Sequence, residues 1–172
     1  MEYFEKTIKE KEIYNGQIIS LKVAEVEVPN NIKALRELVS HPGGVGILAY
    51  IDKDTILLVQ QFRKPFEKVM LEIPAGKLEK GENPEECGRR ELEEETGYLA
   101  KKFTYLGRIV SSPGFCNEVI HLFKATELYC GKIGGDQDEF ISLHKIKKEK
   151  VLQMIKNGDI VDAKTISSFM FE

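Results

Sequence analysis

Residues 76–98 read GKLEKGENPEECGRRELEEETGY. They constrain the chain more than any other stretch, because they mark a helix at both ends and then load it with negative charge. Asn83 is a favourable N-cap, Pro84 suits the first helical position, and Glu86 stands where a capping-box side chain reaches back. Gly97 supplies the C-terminal stop. Positions three and four apart on a helix are surface neighbours, so Glu91, Glu94 and Glu95 share one patch, while Glu86, Arg89 and Glu93 occupy another arc. Cys87 and Leu92 are the chief apolar members and make no wide core stripe. Like charges at this spacing cost about 0.2–0.5 kcal/mol per pair, a penalty that makes sense where a divalent cation sits among the carboxylates. Ligands that are all oxygen favour Mg²⁺, Mn²⁺ or Ca²⁺ over softer metals. In an isolated glutamate-rich helix the same pattern would read as a solvated acidic face, so the surrounding sequence has to decide.

The surroundings are those of one main folded domain. A chain of 172 residues holds a single core with a small appendage, and 42% hydrophobic with 31% charged residues is a globular composition. The longest apolar runs, such as residues 45–51, fall far short of a spanning helix, and the first ten residues lack a signal-peptide core; a cytoplasmic location without membrane contact is the expectation. Twenty-five basic against 28 acidic residues leave a formal charge of −3, no footprint for a nucleic-acid backbone. A phosphate-bearing small molecule remains compatible, since local cations and a metal can reverse the field at a site. Cys87, Cys116 and Cys130 form no CxxC pair and read as free thiols.

Short strands are expected in the first forty residues, with turns at Tyr14-Asn15-Gly16 and Pro29-Asn30-Asn31. Two apolar runs, residues 45–51 and 55–62, flank Asp52-Lys53-Asp54 as a buried hairpin, and residues 71–74 form a short strand leading to Ala75-Gly76. Beyond the helix, strands are expected at 103–110, 119–125 and 140–143, then a helix over 147–157 and another from Asp162 onward. Strands interleaved with few helices argue for an α/β sandwich. The expected division is a strand-rich segment over 1–40 and the main domain over 41–172. His41, His121 and His144 lack metal-ligand spacing and are assigned structural or surface roles.

The glutamate segment also fits the pattern GX5EX7REUXEEXGU through Gly76, Glu82, Arg90, Glu91, Leu92, Glu94, Glu95 and Gly97. Chance agreement at the seven exact positions is on the order of 10⁻⁸ per start position on average residue usage. The segment resembles the Nudix box, the signature of hydrolases acting on nucleoside diphosphates linked to another group; Tyr98 stands where an aliphatic residue is usual. The resemblance implies a Nudix-type α/β/α sandwich with a mixed sheet, plus the small N-terminal sheet. It implies Mg²⁺ or Mn²⁺ held by Glu91, Glu94, Glu95 and the carbonyl of Ala75, with Glu94 also catalytic. Arg90 is implied as an ion-pair partner of a glutamate such as Glu82.

The stretches HPGGVGILAY, LLVQQFRKP, LEIPAGKLEKGE and SSPGFCNE are similar to the ADP-ribose pyrophosphatase branch of that family, and Pro113 stands sixteen residues after Gly97, as in the branch. That resemblance implies conversion of ADP-ribose to AMP and ribose 5-phosphate. The alternatives are another sugar nucleotide such as GDP-mannose, or a noncatalytic nucleotide-sensing domain. It further implies substrate contacts from Arg63, Arg36 and Pro113, a general base among Asp136, Asp138 and Glu139 in an acidic glycine-hinged loop, and a homodimer built on the N-terminal strands.

Overall fold

The computed structural model describes residues 3–131 and 140–172. It divides into two compact units, one of Met1–Gly43 with Val110–Val119, the other of Gly44–Ile109 with Ile120–Glu172.

The first unit is an antiparallel sheet of β1 (Lys6–Asn15), β2 (Ser20–Val28) and β3 (Ile32–Ser40), in that order. Its turns are those the asparagines announce: Asn30 and Asn31 take φ of 71° and 58°, the left-handed values that asparagine tolerates better than most residues. The end of β3 is tied to the 110–119 stretch, with the Val39 amide donating to the Phe115 carbonyl at 2.7 Å and the His41 amide to Asn117 Oδ1 at 2.8 Å. Every residue of β1 is exposed, and Ile32 and Leu35 on β3 remain 58% and 68% exposed.

In the second unit a mixed sheet runs β10 (Ser142–Lys147), β5 (Thr55–Arg63), β4 (Gly44–Tyr50), β9 (Val119–Cys130), β8 (Tyr98–Val110). Two short strands join it: β6 (Lys68–Glu72) pairs with the end of β5, and β7 (Ala75–Lys77) with the start of β4. Strands β4 and β9 run parallel, and β4 is buried along its whole length, as expected of a strand covered on both faces. Alternate residues feed two cores. Val45, Ile47 and Ala49 pack with Leu57, Cys87, Leu92 and Phe123 under α1 (Pro84–Thr96). Leu48 and Tyr50 pack with Ile56, Leu58, Ile73 and Leu122 against Val151 of α2 (Lys148–Asn157). Helices on both faces of a mixed sheet make the expected α/β/α sandwich. A short helix, α3 (Ala163–Ser168), is capped by Asp162, whose carboxylate accepts from the Thr165 amide.

Several boundaries differ from expectation. Strand β8 begins at Tyr98, directly after the helix stop, because Ala100 reaches the core and Tyr98 packs against it. Strand β9 continues to Cys130, beyond Ala125, and β10 starts at Ser142 because Phe140 is 89% exposed and has no core to join. Helix α3 ends at Ser168. Among the described residues no helix is long and apolar enough to cross a membrane.

Candidate active site

The glutamates are presented by α1 and the strand that precedes it. Asn83 caps the helix as expected, its side chain accepting from the Glu85 amide at 2.8 Å, and Gly97 closes it at φ 71°. Glu86 makes no reciprocal bond to Asn83 among the described residues, so the cap is one-sided.

Arg90 organises the acidic face. Its Nε and Nη2 donate to the two carboxylate oxygens of Glu82 at 3.1 and 3.2 Å, and its Nη1 donates to both Glu91 and Glu94 at 2.9 Å. One guanidinium thus bridges three acids and offsets one of their three charges, and Arg90 beside Glu82 holds that carboxyl down at about 2. The repulsion inferred from helical spacing is therefore partly relieved by the chain's own cation, which leaves the patch with net negative charge. Arg90 also donates to Cys87 Sγ at 3.4 Å, and burial, then the nearby Glu82 charge, pushes that thiol up to about 12.

Strand β7 brings backbone to the same patch. The Ala75 amide donates to Glu95 Oε2 at 2.9 Å. A β-carbon built on Gly76 would lie 1.8 Å from Cδ of Glu91, so that carboxylate rests in the space that only glycine leaves. Glu91, Glu94, Glu95 and the Ala75-Gly76 backbone are thereby brought together. The donor set is oxygen only, the chemistry that a hard divalent cation takes. Among the described residues, no three acidic, imidazole or thiol groups stand at ready metal-holding spacing.

Arg63 ends β5 in the same unit. It grips Glu72 of β6 with two bonds, Nε to Oε1 at 2.9 Å and Nη2 to Oε2 at 2.7 Å. Glu72 is 1% exposed. Burial pushes its carboxyl up, but Arg63 and Lys164 outweigh that and bring it to about 2. Lys164 of α3 donates to the same oxygen, Glu72 Oε2, and to Asp162 at 3.0 Å. The charges of Glu95 and Asp162 add to that of Glu72 in raising Arg63 further. Sequence reasoning missed Glu72 and Lys164. A lone glutamate inside the apolar run Met70-Leu71-Glu72-Ile73 was a signal that a buried partner must exist.

Two other expected residues, Arg36 and Pro113, belong to the first unit. Arg36 lies on β3 in the first unit, its Nε and Nη2 bonded to Glu5 at 2.9 and 2.6 Å. Pro113 lies in the connection between β8 and β9. Asp136, Asp138 and Glu139 lie outside the described residues. The histidines are engaged locally: His41 Nδ1 accepts from the Gly43 amide, His144 Nε2 stands 2.8 Å from Gln60, and His121 stands beside Tyr105. The three cysteines are free. A cleft of about 470 Å³, lined by Tyr50, Lys124, Lys148 and Glu172, opens at the far end of β4 from Gly76. Five residue steps along β4, from Val45 beside Gly76 to Tyr50, separate it from Gly76 by roughly 17 Å.

A family model described as NUDIX domain matches residues 40–168. The chain is 46% identical over 169 residues to the ADP-ribose pyrophosphatase of Bacillus subtilis (strain 168), covering 97% of this chain and 91% of that one. It is 44% identical, with the same coverage, to the methanol dehydrogenase activator of Bacillus methanolicus. It is 36% identical to the GDP-mannose pyrophosphatase of Yersinia enterocolitica, over 79% of this chain and 76% of the relative. Among solved structures, an ADP compounds hydrolase superposes with a TM-score of 0.88 over 99% of this chain and 94% of the other at 19% identity, a likeness of fold.

Proposed function

We propose that this chain, which belongs to the NUDIX family of hydrolases, hydrolyses the diphosphate of ADP-ribose to AMP and ribose 5-phosphate. The observation that carries the reading is the convergence of Glu91, Glu94 and Glu95 with the Ala75-Gly76 backbone, in a chain 46% identical to an ADP-ribose pyrophosphatase.

Hydrolases of this family work with divalent metal ions, and Mg²⁺ or Mn²⁺ suits a set made only of oxygens. Glu91, Glu94, Glu95 and the Ala75 carbonyl would hold it. When bound, such an ion neutralises phosphate oxygens and lowers the pKa of water. The chain's own residues supply the rest. Arg90 keeps Glu91 and Glu94 turned to one side, and Glu95 is fixed by the Ala75 amide. Arg63 is held by Glu72 through Nε and Nη2, and Nη1 has no hydrogen-bond partner among the described residues; its N–H groups suit a phosphate oxygen. A carboxylate from Asp136, Asp138 or Glu139 would take the proton of the attacking water, and Arg36 and Pro113 would add substrate contacts.

A second copy of the chain is proposed to cover the first unit's sheet. Ile8, Ile13, Ile32 and Leu35 are 44% to 68% exposed there, a costly apolar surface for an isolated sheet and an invitation to pairing. Three free thiols accord with a reducing, cytoplasmic setting. Light scattering on the purified chain would report the dimer.

The substrate is tested by steady-state hydrolysis of ADP-ribose, GDP-mannose and other nucleoside diphosphate sugars with Mg²⁺ or Mn²⁺. A kcat/KM for ADP-ribose at least about tenfold above the others is expected. A preference for GDP-mannose would overturn the substrate, and no turnover of any would favour a nucleotide-sensing domain. The 44% relative supports a second reading, action through a partner dehydrogenase; it predicts that the chain raises turnover of methanol dehydrogenase.

A further inference from the structure

We propose that Lys164 is a positioning residue for substrate binding: by sharing the buried carboxylate of Glu72 with Arg63, it keeps this group of charges neutral and leaves the arginine's remaining N–H donors for a diphosphate. The inference rests on the proposed function for the identity of the ligand, but its geometry stands on its own.

Glu72 is 1% exposed and must be matched by cations to remain charged. Arg63, whose side chain is 38% exposed, approaches from the open side, and Lys164, 10% exposed, from within. Lys164 is held in turn by Asp162 at 3.0 Å. Asp162 also accepts from the amide and the hydroxyl of Thr165, at 2.9 and 2.5 Å, and that hydroxyl accepts from the Ile73 amide at 2.9 Å. Ile73 directly precedes Pro74-Ala75-Gly76, the backbone that meets Glu91 and Glu95. The network therefore spans from Arg63 to the residue before the backbone that meets the glutamate patch.

Its charges balance: Arg63 and Lys164 against Glu72 and Asp162. With Lys164 neutral, the same four positions would carry a net negative charge next to Glu95, and Glu72 would keep Arg63 as its one close cation among the described residues. The guanidinium would then be spent on Glu72, and an incoming diphosphate would meet an anionic wall. The lysine sits too deep to touch substrate itself, so its effect falls on binding and leaves the chemical step largely intact.

The test is steady-state kinetics on Lys164→Met, Lys164→Arg and the double variant Glu72→Gln/Lys164→Met, with calorimetric binding of inorganic pyrophosphate as a second readout. Lys164→Met is expected to raise KM at least about tenfold, equivalent to about 1.4 kcal/mol, with kcat changed less than about threefold, and to weaken pyrophosphate binding in parallel. Lys164→Arg should restore KM. The double variant removes the buried anion with its cation, so it should fold even if Lys164→Met does not, and it should bind pyrophosphate more tightly than Lys164→Met or, where that variant fails, within about threefold of wild type. An unchanged KM in Lys164→Met, or a double variant whose binding is weakened about tenfold, would overturn the inference. Failure of the wild-type chain on ADP-ribose, with turnover of another nucleotide sugar, would instead overturn the substrate assignment; the same variants are then read with that sugar nucleotide.

Discussion

The carboxylate of Glu91 occupies the space a side chain on Gly76 would need, with Cδ 1.8 Å from where that β-carbon would stand. A residue on β7 thus decides where a residue on α1 points, fifteen positions away in sequence.

Gly76→Ala separates stability from activity. The obstructing atoms are the far end of a flexible side chain, so Glu91 can swing aside and the fold survives; a shift of less than about 3 °C in Tm is expected, corresponding to at most about 1 kcal/mol. Turnover should drop about tenfold to a hundredfold because Glu91 leaves its place. Unchanged kcat in this variant would remove Glu91 from the site.

Glu94→Gln and Glu95→Gln remove charge and keep volume. The glutamine at 95 can still accept from the Ala75 amide, so folding should be preserved while kcat falls about 10²- to 10³-fold. Near-normal hydrolysis in both variants, assayed with Mg²⁺, would exclude these carboxylates as metal ligands.

Glu172 gives the fold an acid limit. Its carboxylate accepts from Tyr50 Oη at 2.8 Å, from Lys124 at 2.6 Å and from Lys148 at 2.7 Å. Burial alone would raise it; the two lysines and Tyr50 bring it from 4.5 to about 2. A carboxyl whose folded pKa is depressed stabilises the fold above its unfolded pKa and loses that contribution as pH falls through the folded one. Thermal unfolding from pH 6 down to pH 2 should therefore show wild type losing about 1–2 kcal/mol relative to Glu172→Gln between roughly pH 4.5 and 2. Parallel curves for the two proteins would show the carboxylate contributes nothing there.

Thiol reactivity should follow burial. Cys130 is exposed, whereas Cys87 is buried with its thiol pushed up to about 12. Alkylation of the native chain near pH 8, followed by peptide mass spectrometry, should label Cys130 at least about a hundredfold faster than Cys87. Equal rates would mean that α1 opens readily from the sheet.

Much of the site is legible in the linear order of residues, because it is local. The cap at Asn83, the stop at Gly97 and the shared face of Glu91, Glu94 and Glu95 follow from helical spacing, and the Arg90–Glu82 pair from the family resemblance. The alternation of β4, with Val45, Ile47 and Ala49 against Leu48 and Tyr50, likewise announces a strand covered on both faces. Strand ends are less legible. Tyr98 and Phe140 are both aromatic, and only packing decides that the first joins a strand and the second does not.

By itself, then, the sequence determined the acidic helix, its caps, the sandwich class and the family pattern, since each depends on residues within a few turns or strand repeats of one another. Only the tertiary structure decided that Gly76 seats Glu91, that one guanidinium gathers three acids, and that Lys164 shares Glu72 with Arg63. The last pair lies 92 positions apart; no periodicity reaches that far, and the meeting is made by strand register and by α3 packing back on the sheet.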